Sequence, residues 1–232
     1  MKPILIIIFV NAIFQASFSQ AYTITNLSTL HDHYTFERSK VNATDQSRYN
    51  MIDGSPYLVE RFIDGEVIIN DSFLIEKVPL RYNTYTDKME YLDDQKSVLE
   101  VNTSGQKFTF KFDNRHFNIV EYINRNDKEH GFLELLVDGE IRLYRKYSVK
   151  FEEATKAMGY QNSKSNRFVR QNDIFLVAIK GAAPVAVYSK KELLLKLQQV
   201  NPDIELYLKK HELKMSSEKS VIELIEYCNS KL

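Results

Sequence analysis

The chain has 232 residues, of which 44% are hydrophobic and 27% charged, and Lys plus Arg equals Asp plus Glu at 31 each. Those proportions belong to an ordinary folded protein and argue against a disordered chain or a multi-span membrane protein. The balanced charge, with no block of one sign, removes the simplest argument for nucleic acid or an anionic membrane as partner. A chain of this length holds one domain or two small ones.

The first nineteen residues read as a signal peptide: Lys2 gives a positive start, Pro3 to Phe14 is apolar, and Ser17 and Ser19 supply small residues for cleavage ahead of Gln20. The apolar run, about a dozen residues, is short of the roughly twenty that a bilayer span needs. The expectation is an exported protein with no transmembrane span once the signal is removed. Cys228 is the only cysteine. A disulfide framework of the kind found in small secreted eukaryotic domains is therefore impossible, and no cysteine stands at the new N-terminus to carry a lipid. A bacterial periplasmic or secreted protein without a lipid anchor fits both facts. In that setting the sequons at Asn26, Asn42, Asn70 and Asn102 are plain polar turn residues.

Residues 20–53 are polar and weakly periodic, with Asn26 or Ser28 placed to cap a short helix reaching Leu30, Tyr34 and Phe36. His31-Asp32-His33 is the only His-rich spot. Two imidazoles on one side of a strand can bind a metal, but no spacing supplies a third ligand, so no metal site or cofactor is assigned.

Residues 54–153 read as an antiparallel β domain. Apolar and polar residues alternate with period two, the signature of half-buried strands. Asp64-Gly65 and Asp138-Gly139 predict two tight hairpins, because Asp-Gly suits central positions that need positive φ. Further turns are expected at Asn70-Asp71, Thr86-Asp87-Lys88, Asp93-Asp94 and Ser104-Gly105. Strands punctuated this often imply an antiparallel meander, and therefore a curled sheet or barrel-like sandwich. Lys107 to Phe112 sends Phe108, Phe110 and Phe112 to one face, which is core. Leu133 and Leu135 beside Phe132 and Leu136 suggest a strand covered on both sides.

Residues 154–166 are a polar linker candidate, and residues 167–232 a hairpin followed by a helical region. Asp173 to Ile179 and Pro184 to Tyr188 form the hairpin through Gly181. Ser189-Lys190-Lys191-Glu192 is a capping box, in which Ser189 accepts from the third helical amide and Glu192 reaches back to the Ser189 amide. Leu193, Leu194 and Leu197 line that helix. Asn201-Pro202-Asp203 opens a second, and a third follows Ser216-Ser217 with Val221, Ile222, Leu224, Ile225 and Cys228 on its apolar face. The fold class is thus α+β, a mainly antiparallel β meander followed by a short hairpin and about three C-terminal helices.

Chemistry is sparse. No nucleophile elbow, phosphate-binding glycine loop, metalloprotease helix or paired-cysteine metal spacing occurs, and no catalytic residue is assigned. In Val78 to Tyr85, alternation sends Arg81, Asn83 and Tyr85 to the face opposite Val78, Leu80 and Tyr82. These three are the candidate binding residues, since a guanidinium presents a planar fork to a carboxylate or another anion. The simpler reading of Arg81 is a pair with Glu90 across the Thr86-Asp87 hairpin, which would fix register.

GSPYL at Gly54 to Leu58, VPLRYNTY at Val78 to Tyr85 with the following Asp87, Met89 and Glu90, GFLELLVDGEIRLYRKY at Gly131 to Tyr147, SKKELL from Ser189 and the late YCN at Tyr227 to Asn229 resemble a family of uncharacterised exported proteins of the Bacteroidetes. The resemblance runs from roughly Gly54 to the C-terminus, although the family more often has two aromatics before the Asn. It implies export and a shared fold, and brings no activity, cofactor or catalytic residue. Two functions follow as expectations. One is a non-enzymatic binding or interaction module meeting an envelope protein or a cell-surface polymer. The other is a secreted hydrolase or metal-dependent enzyme whose residues converge from distant strands, with His116 or His130 among the candidates. The oligomeric state is not fixed by the sequence.

Overall fold

The computed structural model describes residues 22–24, 49–155, 165–201, 204–210 and 217–232. The expected signal peptide, the short helix after Asn26 or Ser28, the His31-Asp32-His33 spot, Pro202, Asp203 and Ser216 lie outside the described residues. The first strands are β1 (Tyr22–Ile24), β2 (Ile63–Ile69), β3 (Phe73–Asn83), β4 (Lys88–Leu92), β5 (Val98–Glu100) and β6 (Phe108–Phe112). Next come β7 (Arg115–Asn124), β8 (Asp127–Val137), β9 (Ile141–Lys146), β10 (Val149–Glu152), β11 (Arg167–Arg170), β12 (Ile174–Ile179) and β13 (Val185–Val187). Helices α1 (Lys190–Gln198), α2 (Ile204–Lys210) and α3 (Glu218–Asn229) end the chain. This is the α+β class that the alternation predicts. No helix among the described residues is long and apolar enough to cross a membrane.

Strand β7 organises the sheet. One of its edges pairs with β8 from Phe117 to Asn124. The other edge is divided: Arg115 to Asn118 pair with β6, and Ile123 pairs with Val185 of β13 in parallel. Because β13 also pairs with β12, β12 with β9 and β9 with β8, strands β7, β8, β9, β12 and β13 close into a five-stranded ring. From β7 an open arm continues through β6, β2, β3, β4 and β5, and β1 lies parallel to the start of β3. Strands β12 and β13, which follow the polar 154–166 stretch, thus share a sheet with β7 and β9. That stretch joins β10 to β11, which pair antiparallel with each other.

Three apolar clusters follow from side-chain parity. Tyr122, Leu133, Tyr144, Leu176, Ala178 and Ala186, drawn from all five ring strands, fill the ring. Phe110, Phe117, Phe132, Leu80 and Tyr82 form the core of the arm. Ile141, Leu143 and Val177 on the outer face of the ring pack against Leu193, Leu197, Val221, Leu224 and Ile225 of the helices. Strand β8 sends Phe132 to one cluster and Leu133 to another, so it is covered on both sides. The capping box at Ser189 is borne out in one half and corrected in the other. Ser189 accepts from the Glu192 amide at 3.2 Å, but the Glu192 carboxylate accepts from the Tyr188 amide at 2.7 Å rather than from that of Ser189.

One predicted turn is corrected. Asp64-Gly65 lies inside β2, whereas Asp138-Gly139 does join β8 to β9. At Gly65 the β2–β3 register slips, so that Glu66 stands opposite both Glu76 and Lys77, a β-bulge with Lys77 at φ 57°. A Cβ at position 65 would sit 2.5 Å from the Lys111 carbonyl oxygen. The glycine there serves the close approach of β6 rather than a change of chain direction.

Candidate functional site

Arg81, Asn83 and Tyr85 do not form one open face. Arg81 pairs with Glu90 across the β3–β4 hairpin: Nε and Nη2 donate to Glu90 Oε2 at 3.0 and 2.6 Å, and Nη1 donates to the Glu60 carbonyl at 3.2 Å. The guanidinium lies 3.8 Å from the Tyr57 ring centre and 4.2 Å from that of Phe62, an aromatic clamp. Asn83 donates to Glu90 Oε1 at 3.2 Å and accepts from the Tyr85 and Thr86 amides, which shapes the turn. The Tyr85 ring instead packs 5.2 Å from Phe168. Burial first, and the Glu90 charge second, push the Tyr57 hydroxyl up to about 12.

The GSPYL segment ties two parts of the molecule together beside that cluster. Its flank at Asp53 bonds to β11 through Phe168 N to Asp53 O at 2.7 Å, while Leu58 N donates to Tyr82 O at 3.0 Å and Thr84 N to Pro56 O at 2.9 Å. Gly54 takes φ 80°, and a Cβ there would strike the Phe168 carbonyl. Only glycine fits both the conformation and the gap.

This strap forms one wall of a cleft of about 720 Å³, whose other walls carry Arg115, Arg145, Tyr147, Phe168, Arg170 and Glu218. The lining of the cleft takes Tyr147 from the arm core and Glu218 from the start of α3. Glu134 of β8 stands opposite Arg145 of β9 in register. Arg145 Nε and Nη2 donate to Glu134 Oε2 at 2.9 and 2.7 Å, the Tyr147 hydroxyl donates to the same oxygen, and Arg115 Nε lies 3.8 Å from Glu134 Oε1. Arg145 Nη1 donates to Glu218, at the start of α3. The Tyr147 ring is flanked by Arg145 at 4.8 Å and Arg170 at 4.5 Å.

Donors remain in this cleft. Arg115 gives Nη1 to Asp113, and Arg170 gives Nη2 to Asp173 at 2.7 Å. Among the described residues, Nη2 of Arg115 and Nε and Nη1 of Arg170 make no hydrogen bond. Acceptors, by contrast, are engaged: Glu134 and Glu218 each hold an arginine. Burial opposes the charge of Arg145, yet its hydrogen bond to Glu134 and the Glu134 charge hold it more firmly protonated than an ordinary arginine. Burial first, then the hydrogen bond to Glu134, push the Tyr147 hydroxyl well above the ordinary tyrosine range. The arrangement suits recognition of an anion by planar forks better than proton transfer near neutral pH, which needs a group poised between its two states.

His116 and His130 stand exposed on β7 and β8, away from the cleft walls; His116 lines a separate groove of about 580 Å³ with Asp64, Glu66 and Lys111. Cys228 is buried in the helix cluster, and burial pushes its thiol up to about 11. Among the described residues no group of three or more His, Cys, Asp or Glu converges to hold a metal ion. Sequence reasoning passed over Arg115, Arg145 and Arg170. A readable signal existed for Arg145, which shares strand parity with the buried Ile141 and Leu143, while Glu134 shares it with the buried Phe132; charges at apolar-face positions of hairpin partners announce a pair. Arg170 carried no such signal, because its approach to Tyr147 depends on the β10–β11 pair folding back. No family model, curated protein or solved structure matches the chain.

Proposed function

We propose that the protein is an exported, non-enzymatic binding module, akin to the exported Bacteroidetes proteins its motifs resemble, which holds an acidic group of an envelope protein or cell-surface polymer in the Arg115–Arg145–Arg170 cleft. One observation carries this reading. Three guanidinium groups border a single cleft, two of them retain unbonded N–H groups, and the carboxylates within reach are already engaged. Arg115 and Arg145, with side chains 30% and 13% exposed, gain more from an anion than fully exposed arginines do, because neighbouring water screens less, and the exposed Arg170 adds a donor at the rim. The volume of the cleft lies in the range of ligand sites.

Crosslinking of the native protein in its envelope should recover a defined acidic partner that the R115Q/R170Q double variant, folded by thermal unfolding, does not capture. Retention of the partner should fall as salt rises. Equal capture by the double variant, or recovery of no partner across several growth conditions, overturns the reading.

A further inference from the structure

The two carboxylates on Arg145 are not equivalent. Glu134 is buried, 4% exposed, and takes both Nε and Nη2 of Arg145 as well as the Tyr147 hydroxyl. It is the counter-charge that lets the guanidinium be buried at all. Glu218 takes only Nη1, its side chain is 43% exposed, and among the described residues it bonds to no other side chain. One arginine needs one counter-charge; the second sits at the mouth of a cleft with unbonded donors on both neighbouring arginines.

We infer that Glu218 is an internal stand-in for the ligand, and that the ligand of the cleft is a carboxylate on an apolar body, which takes the place of Glu218 on Arg145 and reaches the open donors of Arg115 or Arg170. The inference rests on the cleft being an anion site, and it adds the ligand class and a competition built into the chain. Three features carry it. A planar carboxylate already fits the Nη1 seat. Glu134 already neutralises Arg145 and the Glu218 side chain is 43% exposed, so exchange of Glu218 for another carboxylate replaces like with like and is nearly balanced. Leu58, Val149 and Phe168 in the walls suit the carbon skeleton of an organic acid, which inorganic phosphate lacks. Displaced Glu218 stays favourable in the first turn of α3, where an acid complements the helix dipole.

The test is calorimetric titration of the full chain and of E218Q with benzoate and, separately, with inorganic phosphate at low salt. Removal of an internal competitor multiplies the apparent Kd by the fraction of time the seat had stood free, a tightening of about threefold to tenfold here. Benzoate should therefore bind E218Q more tightly by that factor, with phosphate gaining less, and E218A should repeat the gain. Thermal unfolding of each variant checks its fold. Benzoate binding that is equal or weaker in both variants overturns the role of Glu218 and leaves the anion cleft standing. An equal gain for phosphate overturns the carboxylate assignment. If neither anion binds the native chain or the variants, both this inference and the anion cleft fall.

Discussion

Asn229, at the end of α3, satisfies both backbone groups of Ile141 at the start of β9: Oδ1 accepts from the Ile141 amide at 2.8 Å, and Nδ2 donates to the Ile141 carbonyl at 2.9 Å. A side-chain amide thus continues the hydrogen-bond ladder past the Asp138-Gly139 turn and fastens the last helix to it. The late YCN motif and the VDG turn are two halves of one joint. N229A leaves a backbone donor and acceptor without their partner, so we expect a loss of about 1–3 kcal/mol in urea unfolding. N229D keeps the acceptor alone and should fall between. Wild-type stability in N229A would refute this role.

Gly131 is required for space. Asp87 and Lys146 meet at 2.6 Å, with Tyr82 donating to Asp87 at 2.5 Å, over the point where a side chain at 131 would begin. A Cβ there would collide with Asp87 Oδ2 and lie 2.9 Å from Lys146 Nζ. G131A should cost about 1–3 kcal/mol, as overpacking does, and the loss should shrink in a D87A background where the collision is gone. Additive losses would rule out the steric account.

The Arg81–Glu90 pair is nearly sealed, with side chains 11% and 1% exposed. E90A strands a guanidinium between two aromatic rings and should cost about 3–5 kcal/mol. Replacing both partners by apolar residues, R81M/E90L, should cost less than E90A alone, because no charge is left behind. Chemical denaturation of the three proteins decides; a double variant weaker than E90A would contradict the argument.

Alkaline stability follows from the tyrosines. Tyr57 keeps its proton up to about 12 against an ordinary value of 10.0, and burial raises Tyr82, Tyr122 and Tyr147 in the same direction. Each binds its proton more tightly folded than unfolded. The resulting stability is full below pH 10 and declines as pH climbs through the folded values. The melting temperature should drop steeply above pH 10, and ultraviolet titration should show a set of tyrosines ionising only together with loss of circular dichroism. Ionisation of every tyrosine near pH 10 in a still-folded protein would refute it.

Much of the local architecture was legible because it is local. Asn70-Asp71 and Asp87 take positive φ in their turns, as their residue types predict, and Phe108, Phe110 and Phe112 all point inward. Asp64-Gly65 misled because the same dipeptide serves a turn or a tight strand approach, and only the neighbouring strand decides. A curled or barrel-like sheet was legible, but the pairing that closes it was not, since nothing in the Val185 or Ile123 neighbourhood names its distant partner. The cleft failed for the same reason: its arginines come from β7, β9 and β11, and its wall comes from the segment after Asp53. Arg81, prominent in sequence, turned out to have a nearby partner in Glu90, which sequence reasoning did name.

The divided edge of β7 bears on how the chain reaches its fold. Its first half is matched by β6, already made when β7 emerges, whereas Ile123 waits for Val185. Contacts between distant positions form late, because the intervening chain must lose its freedom before they contribute. The arm can therefore assemble as the chain appears, while an unpaired stretch of β7 stays open to other strands until β12 and β13 arrive. Aggregation during refolding should begin at that stretch, and the short β13, more than any long strand, ends the exposure.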